Sequence, residues 1–190
     1  GGPPIHGSPL SEEFQGGGSR VQDFGRTRFD SPPEFAGWPY GVRLGRLGAT
    51  VTEGRVFPPI APFPSSPTRL YFPETRHSLQ GGFLEVWNAQ GGLAQFGYPL
   101  TEQFSELNST DGKTYTVQYF ERNRFEWHPE HTGTPSEVLL GLLGHTVTAE
   151  RATEAPFQPA PAVGSTGPSA AQGGSLWFSE SGHNLAPEFA

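Results

Sequence analysis

The chain has 190 residues and carries a formal net charge of −7, from 12 basic and 19 acidic side chains. No cluster of basic residues occurs, which excludes the electrostatic footprint of a protein that binds nucleic acid or an anionic membrane. No stretch approaches the roughly 18 apolar residues that a membrane-spanning helix requires, and the absence of cysteine excludes a disulfide framework and thiol chemistry.

Aromatic and turn-forming residues dominate the composition. The chain contains 15 phenylalanines beside 26 glycines and 20 prolines. Large rings can fill small cores, whereas glycine and proline favour turns and loops. We therefore expect a folded chain with small aromatic cores and many turns, because a disordered chain would lack the aromatic residues.

The sequence repeats itself in three pairs of aligned segments. The longest pair has 19 identical residues in 35 positions without a gap, where chance at ordinary composition gives about two. Internal repetition of this kind indicates a modular architecture. The aligned pairs are residues 1–14 with 91–104, 21–55 with 117–151, and 70–84 with 176–190.

These repeats and the proline-rich stretches between them define the predicted organisation. The chain opens without methionine and inside a repeat, so we expect it to be a window of a longer protein. Proline holds the linkers extended and semi-rigid. In chain order, the predicted parts are repeat unit 1 without its head (1–55), a proline-rich linker (56–69), the complete repeat unit 2 (70–151), a linker rich in Ala, Pro, Gly and Ser (152–175), and the head of repeat unit 3 (176–190).

The first predicted element of the complete unit is a helix over residues 79–92. Phe83 and Trp87 are one helical turn apart, so both side chains should lie on the inner face of this helix. The Gly-Gly pair at 91–92 is a natural C-terminal stop. We therefore expect a short helix packed against the core through its aromatic residues.

The next predicted element is a β-hairpin over residues 117–127. Phe120 and Phe125 are five positions apart, so a single straight strand would place their rings on opposite faces. A turn over residues 121–123 returns both rings to one face. The spacing thus predicts two short strands that share one aromatic face.

A second helix is predicted over residues 135–143. Thr134 and Glu137 stand at the spacing of a capping box, with proline at the first helical position between them. Gly144 would end this helix, and residues 146–148 are a short β-prone exit. The fold class predicted for each unit is α+β, with short helices and β-hairpins around an aromatic core.

Short motifs recur in both units in the same order. G-x-P-L-x-E is followed by V-Q-x-F, the aromatic hairpin and a closing L-G-x-L-G. The tetrapeptide at the start reads Phe96-Gly97-Tyr98-Pro99 in the complete unit and His6-Gly7-Ser8-Pro9 in the first unit. This pattern resembles the LGFP-type tandem repeat of bacterial cell-envelope and secreted proteins. The resemblance implies a non-catalytic module that attaches a larger protein to envelope polysaccharide.

The run His128-Pro129-Glu130-His131 carries metal-binding side chains at close spacing. It matches neither HExxH nor HxxEH, and proline interrupts any α-helix there. The first repeat has Pro32 and Phe35 at the two histidine positions. The sequence therefore predicts no metal site and no cofactor.

A second pair, Glu74 and His77, recurs as Glu180 and His183. On a helix this spacing would place both side chains on one face, as in carboxylate metal sites. A neighbouring proline and the absence of further ligands nearby favour a loop instead. We expect each histidine to bond a glutamate or the backbone and to have a structural role.

No catalytic motif stands out. The chain has three aspartates, no G-x-S-x-G and no phosphate-binding glycine loop with a lysine. Glu126 and Glu130 could be paired as in a glycosidase. The first repeat keeps acidic residues at both positions, which favours ion pairs with the neighbouring arginines. We expect no enzyme activity and no catalytic residues.

Aromatic and arginine side chains near the hairpin are the candidates for ligand binding. Aromatic rings stack on the apolar faces of sugars, and arginine offers paired donors to hydroxyl or carboxylate groups. The alternative is that most aromatic residues form the core. The candidate residues are Tyr98, Arg122, Arg124 and Trp127.

The predicted function is that of a non-enzymatic extracellular or cell-surface module. Its expected partner is an envelope or extracellular polysaccharide, to which it attaches a larger protein, with no nucleic acid and no membrane insertion. Several weak sites on linked units would together bind a polymer more tightly than one site, because binding of the first raises the effective concentration of the others. The alternative is a structural surface-assembly protein, whose incomplete repeats complement each other head-to-tail between neighbouring copies.

Overall fold

The fold combines short helices with small antiparallel sheets, which confirms the α+β class. The computed structural model describes residues 2–38, 41–162 and 176–189, so most of the predicted linker at 152–175 lies outside the described residues. The helices are α1 (Gly2–His6), α2 (Leu47–Val51), α3 (Gly81–Ala89), α4 (Gly92–Phe96) and α5 (Leu143–Thr148). The strands are β1 (Phe14–Gly16), β2 (Ser19–Asp23), β3 (Arg28–Ser31), β4 (Arg43–Leu44), β5 (Arg69–Phe72), β6 (His77–Gln80), β7 (Phe104–Leu107), β8 (Thr114–Tyr119), β9 (Arg124–Trp127), β10 (Val138–Leu140), β11 (Leu176–Phe178) and β12 (His183–Leu185).

The chain divides into two compact units. Unit 1 consists of Gly1–Gly45 together with Leu142–Ala190, and unit 2 consists of Arg46–Gly141. Each unit contains one four-stranded antiparallel sheet, in the order β1-β2-β3-β4 or β7-β8-β9-β10. Each unit also contains one two-stranded sheet, β11-β12 in unit 1 and β5-β6 in unit 2.

The core of unit 2 is a cluster of three fully buried phenylalanine rings, Phe96, Phe120 and Phe125. The Phe125 ring lies 4.5 Å from Phe120 and 4.8 Å from Phe96, between ring centroids. The strands β8 and β9 flank the turn over residues 120–123. The predicted hairpin with both rings on one face is therefore confirmed.

Helix α3 begins two residues later than predicted, because residues 77–80 pair as strand β6 with β5. It ends at Ala89, ahead of Gly91, whose φ of 109° requires glycine. Phe83 is buried as expected. Trp87 is half-buried, and its ring packs against Phe72 at 5.8 Å.

The predicted helix over residues 135–143 is wrong. Residues 138–140 form β10, which pairs with β9, and helix α5 covers the segment predicted as an extended exit. The hydroxyl of Thr134 accepts from the amide of Ser136, as a helix cap would, but residues 138–140 form a strand and no helix follows. The local capping signal is overridden by the sheet, which offers the backbone of β10 a hydrogen-bonding partner.

The closing L-G-x-L-G segments dock their helices closely on a hairpin turn. In unit 2, the amide of Ala49 in α2 donates to the carbonyl of Glu121 at 3.0 Å. In unit 1, the amide of Gly144 in α5 donates to the carbonyl of Gly25 at 3.1 Å. Unit 2 thus contains the closing helix that follows β4 in the chain, and unit 1 contains the one that follows β10.

A buried glutamine joins the two sheets of each unit. In unit 2, the amide nitrogen of Gln118 donates to the carbonyls of Ser78 and Thr101, each at 2.7 Å. In unit 1, the amide nitrogen of Gln22 donates to the carbonyls of Asn184 and Ser11, at 2.5 and 2.8 Å. This arrangement explains the glutamine of the V-Q-x-F motif.

Candidate functional site

Trp127 lies at the end of β9, where the sheet of unit 2 borders an open cleft. It pairs with Val138 of β10 on one side and with Thr116 of β8 on the other. Alternation along the strand places its side chain on the same face as Phe125. Phe125 is fully buried, whereas 40% of Trp127 is exposed. The apolar face of the sheet therefore becomes accessible to solvent at the indole.

The orientation of the indole is fixed by Glu137. The Nε1–H group of Trp127 donates to Oε1 of Glu137 at 3.1 Å, and the other oxygen of Glu137 accepts from the amide of Gly133 at 2.9 Å. These hydrogen bonds, first from Gly133 and then from Trp127, hold the pKa of Glu137 below its ordinary value. The carboxylate therefore stays charged and keeps the ring in place.

The cleft beside Trp127 has a volume of about 530 Å³, which is within the range of small-molecule sites. Its walls combine the indole with side-chain amides and hydroxyls, and Glu137 is the single charged group among its lining residues. The amide of Gln103 donates to the carbonyl of Gln80 at 3.3 Å, which links the cleft wall to β6. The lining residues are Thr68, Gln80, Gly81, Gly82, Phe83, Gln103, Thr116, Trp127, Glu137 and Val138.

Unit 1 has a smaller cleft, of about 340 Å³, and part of its lining aligns with the lining of the cleft in unit 2. Ser31 takes the place of Trp127, and the exposed aromatic residue is Trp38, of which 67% is accessible. Arg20 lines this cleft and pairs with Glu188 at 2.7 Å. The two clefts thus differ in chemistry, since the one in unit 1 contains an ion pair.

Tyr98 and Arg122, two of the predicted ligand-binding residues, share the partner Glu121. The amide of Tyr98 donates to Oε2 of Glu121 at 3.2 Å, and Nη1 of Arg122 lies 3.7 Å from the same oxygen. Nη1 of Arg122 also donates to the carbonyl of Leu93. Burial, and then the carboxylate of Glu74 at 3.3 Å from the phenol, raise the pKa of Tyr98. The Tyr98 side chain is therefore engaged by Glu74, and the Arg122 side chain by Glu121 and the Leu93 carbonyl.

Arg124, the remaining predicted residue, is in a buried ion network. Only 13% of its side chain is exposed. Its guanidinium pairs with Glu126 and lies 3.2 Å from Glu106 and from the hydroxyl of Tyr119. Three positions separate Arg124 from Trp127 along β9, so the two side chains point to opposite faces of the sheet. Of the four predicted residues, Trp127 is the one that lines the cleft.

Each recurring histidine faces a glutamate, as predicted, but it begins a strand, β6 or β12, and the prediction of a loop is wrong at both positions. His77 is buried, and its Nδ1 lies 3.3 Å from Glu102, which also accepts from the amide and hydroxyl of Ser78. His183 likewise lies 3.4 Å from Glu12. The glutamates three positions before each histidine bond other groups.

The sequence Asn108-Ser109-Thr110 has the form of a glycosylation acceptor. The Asn108 side chain is buried, and its amide nitrogen donates to Glu126 at 2.8 Å. Its oxygen accepts from the amide of Thr110. In this structure the side chain therefore belongs to the ion network, and its amide nitrogen is engaged.

No protein family model, curated protein or solved structure matches the chain. Among residues 2–38, 41–162 and 176–189, no helix is long and apolar enough to cross a membrane. Sequence reasoning identified Trp127 but missed Gln80, Gln103 and Glu137, since Glu137 matched a helix-capping signal and neither glutamine lies in a distinctive motif.

Proposed function

We propose that this chain is a non-enzymatic, extracellular module that binds a polysaccharide through the cleft beside Trp127. In this role it attaches a larger protein to the cell envelope or to an extracellular polysaccharide. The observation that carries the proposal is an oriented, half-exposed indole next to amide and hydroxyl side chains. Sugars present an apolar ring face and a rim of hydroxyl groups, which this combination matches.

The neutral walls of the cleft favour a neutral sugar unit. Gln80, Gln103, Thr68 and Thr116 supply donors and acceptors without a net charge. The only carboxylate, on Glu137, is already engaged by Trp127 and Gly133. A charged substrate would require an unpaired countercharge in the cleft, whereas hydroxyl groups require only hydrogen-bonding side chains.

We further propose that units 1 and 2 are two copies of one repeat. Support comes from Gln22 and Gln118, which align in the sequence and make the same pair of bonds to aligned carbonyls. Phe57 and Phe63, in the proline-rich stretch 56–69, contact Phe104 and Tyr71 of the same unit. The cleft of unit 1 lacks the equivalent of Trp127, so the proposed binding site belongs to unit 2, and other copies of the repeat with an aromatic residue at this position would add to the binding of a polymer.

Replacing Trp127 by alanine is expected to weaken retention on the polysaccharide by at least about tenfold, because truncating an aromatic anchor costs about 2 kcal/mol or more and about 1.4 kcal/mol corresponds to tenfold. The probes are an insoluble β-glucan, a galactan and peptidoglycan in a sedimentation assay. The matched control is Leu107→Ala, which removes another exposed apolar side chain from the edge strand β7 of the same sheet.

Circular dichroism would verify that both variants keep the fold. Equal retention of Trp127→Ala and the wild-type chain would contradict the assignment of the cleft. If none of the three polysaccharides retains the wild-type chain, the proposed function is overturned.

The second candidate function is assembly between copies of the chain. It is favoured by the segment 176–189, which supplies β11, β12 and the buried ring of Phe189 to the core of unit 1. This segment is contributed from the far end of the sequence, and exchange of such segments between copies produces head-to-tail assemblies. Polysaccharide binding remains the better-supported candidate, because the segment completes unit 1 within the same chain.

The two candidates predict different sizes in solution. Monomers across a hundredfold range of protein concentration would contradict assembly, whereas growth of the mean mass with concentration would support it. Light scattering coupled to size-exclusion chromatography measures this directly.

A further inference from the structure

The 3₁₀ turn Pro129–His131 brings three metal-binding side chains together in unit 2. One ligand atom from each of His128, Glu130 and His131 lies within 4.8 Å of the other two. Proline does interrupt an α-helix here, as the sequence predicts. It also starts a 3₁₀ turn, in which side chains three positions apart eclipse each other. The two imidazoles accordingly face each other, with ring centroids 6.1 Å apart and planes inclined by 23°.

His128 is the central residue of this cluster. Only 10% of its side chain is exposed, and both ring nitrogens face carboxylates. Nδ1 lies 3.3 Å from Oε1 of Glu130, and Nε2 lies 3.3 Å from Oε2 of Glu126. A neutral imidazole has one N–H group, so it can donate to one of these carboxylates only. The other nitrogen then faces an oxygen, an arrangement that a cation between them would stabilise.

We propose that His128, Glu130 and His131 form a zinc site. Tetrahedral zinc has bonds to nitrogen and oxygen of about 2.0–2.1 Å, which places neighbouring ligand atoms about 3.3–3.4 Å apart. The separation of 3.3 Å between Nδ1 of His128 and Glu130 equals this edge. Two histidines and one glutamate are a ligand set that zinc uses in proteins, with water at the fourth position.

The surroundings of His128 have the form of a metal site's outer shell. A histidine that binds a metal through one nitrogen usually donates its other N–H to a carboxylate, which fixes the ring. In this site Nδ1 of His128 would bind the metal, and Glu126 is the carboxylate that faces the other ring nitrogen, Nε2. Glu126 is itself buried and is held by Arg124 and by the amide of Asn108. The imidazole is therefore oriented before any ion arrives.

His131 completes the site by a small rotation. Its side chain is exposed, so its ring can move toward the other two ligands without disturbing the core. Glu130 also forms an ion pair with Lys113, whose Nζ lies 3.9 Å from Oε1 of Glu130. The Lys113 side chain is largely exposed. A zinc ion would displace this weak surface pair and would share Oε1 of Glu130 with the hydroxyl of Tyr115, which donates to it at 3.0 Å. The aligned 3₁₀ turn in unit 1, Pro33–Phe35, lacks both histidines, so the site belongs to unit 2 alone.

The test is titration of the full chain with Zn²⁺ by isothermal calorimetry near pH 7.5. One ion should bind per chain, and His131→Phe should weaken its affinity at least tenfold. This variant carries the residue found at the aligned position of unit 1, where Phe35 follows the same kind of turn. The matched control His145→Ala removes another exposed histidine, from helix α5, and should leave the affinity unchanged.

Nitrogen chemical shifts of the His128 ring give a second readout. Zinc should shift Nδ1 strongly while Nε2 keeps its proton. Absence of saturable binding up to 1 mM zinc would overturn the proposal, as would equal affinities of the wild-type chain and His131→Phe. In that case the cluster is a structural one, in which the ring of His128 lies between Glu126 and Glu130. Neither result bears on polysaccharide retention by the Trp127 cleft, which is measured separately.

Discussion

Replacing Gly48 by alanine is expected to destabilise unit 2 by about 3 kcal/mol, the upper part of the usual range for overpacking. An added Cβ atom would lie 1.8 Å from the carbonyl oxygen of Phe120, well inside any permitted contact. The obstacle is backbone in a buried turn, which cannot rotate away as a side chain can. Helix α2 would therefore have to move off the hairpin or the turn would have to open.

Gly144→Ala is expected to do the same in unit 1, where the added Cβ would lie 1.7 Å from the carbonyl oxygen of Phe24. Amide hydrogen exchange can separate the two effects. Gly48→Ala should speed exchange in β8 and β9, and Gly144→Ala should speed it in β2 and β3. Chemical denaturation of each variant gives the loss of stability.

Gly82→Ala is the matched control for these two substitutions. Gly82 lies in α3, and an added Cβ would meet only the side chain of Val138, at an ordinary contact distance of 3.7 Å. Alanine is favoured over glycine by about 0.5–1 kcal/mol in the middle of a helix and by less in the first turn, where Gly82 lies, so this variant should be at least as stable as the wild-type chain. Stability of Gly48→Ala equal to that of Gly82→Ala would refute the close docking of α2.

The close docking also shows where sequence comparison succeeds and where it stops. Alignment of residues 21–55 with 117–151 identifies Gly48 and Gly144 as equivalent framework positions. It cannot tell which hairpin each closing helix contacts, because both hairpins present the same backbone. Helix α2 belongs to unit 2 and α5 to unit 1, so the compact units end at residues 45 and 141, ahead of the repeat ends at 55 and 151.

Local sequence patterns predict the structure correctly where they agree with the burial of the large apolar side chains. Phe120 and Phe125 predicted their hairpin because a single strand cannot bury both rings on one side. The signal at Thr134 and Glu137 failed because the backbone of residues 138–140 finds partners on β9. Helix propensity contributes a few tenths of a kcal/mol per residue in a short segment. Strand pairing and side-chain burial in a sheet contribute more to stability.

The candidate site was predictable only in part for a similar reason. Trp127 is conspicuous in the sequence because it is a large ring at the end of a predicted strand. Glu137 immediately precedes β10, and Gln80 is the last residue of β6. Both line the same cleft, but nothing local in the sequence indicates that these two segments lie together. Arg124 was equally conspicuous, but the pleat turns it to the opposite face and into the ion network.

Replacing Gln118 by leucine is expected to destabilise unit 2 by about 3 kcal/mol. Leucine has a similar volume but donates no hydrogen bond, so the carbonyls of Ser78 and Thr101 would be buried without this donor. Each buried polar group left without a partner costs about 1–3 kcal/mol. The glutamine is fully buried, so water cannot replace it without opening the packing between β6 and β8.

Gln22→Leu should have the larger effect of the two, because Gln22 also accepts from the amide of Ala186 at 3.1 Å. Its loss weakens the attachment of residues 176–189 to unit 1, and faster amide exchange should appear in β11 and β12. Gln118→Leu should instead speed exchange in β5 and β6. Gln15→Leu, at an exposed position of β1, is the control and should change stability by no more than about 0.5 kcal/mol.

The pattern of these two variants tests the repeat organisation itself. If Gln22 and Gln118 have the same role in two copies of one module, each substitution loosens the two-stranded sheet of its own unit and leaves the other sheet protected. Loss of protection in both units from either substitution would contradict independent modules. Unchanged stability in both variants would show that the glutamine bonds do not hold the sheets together.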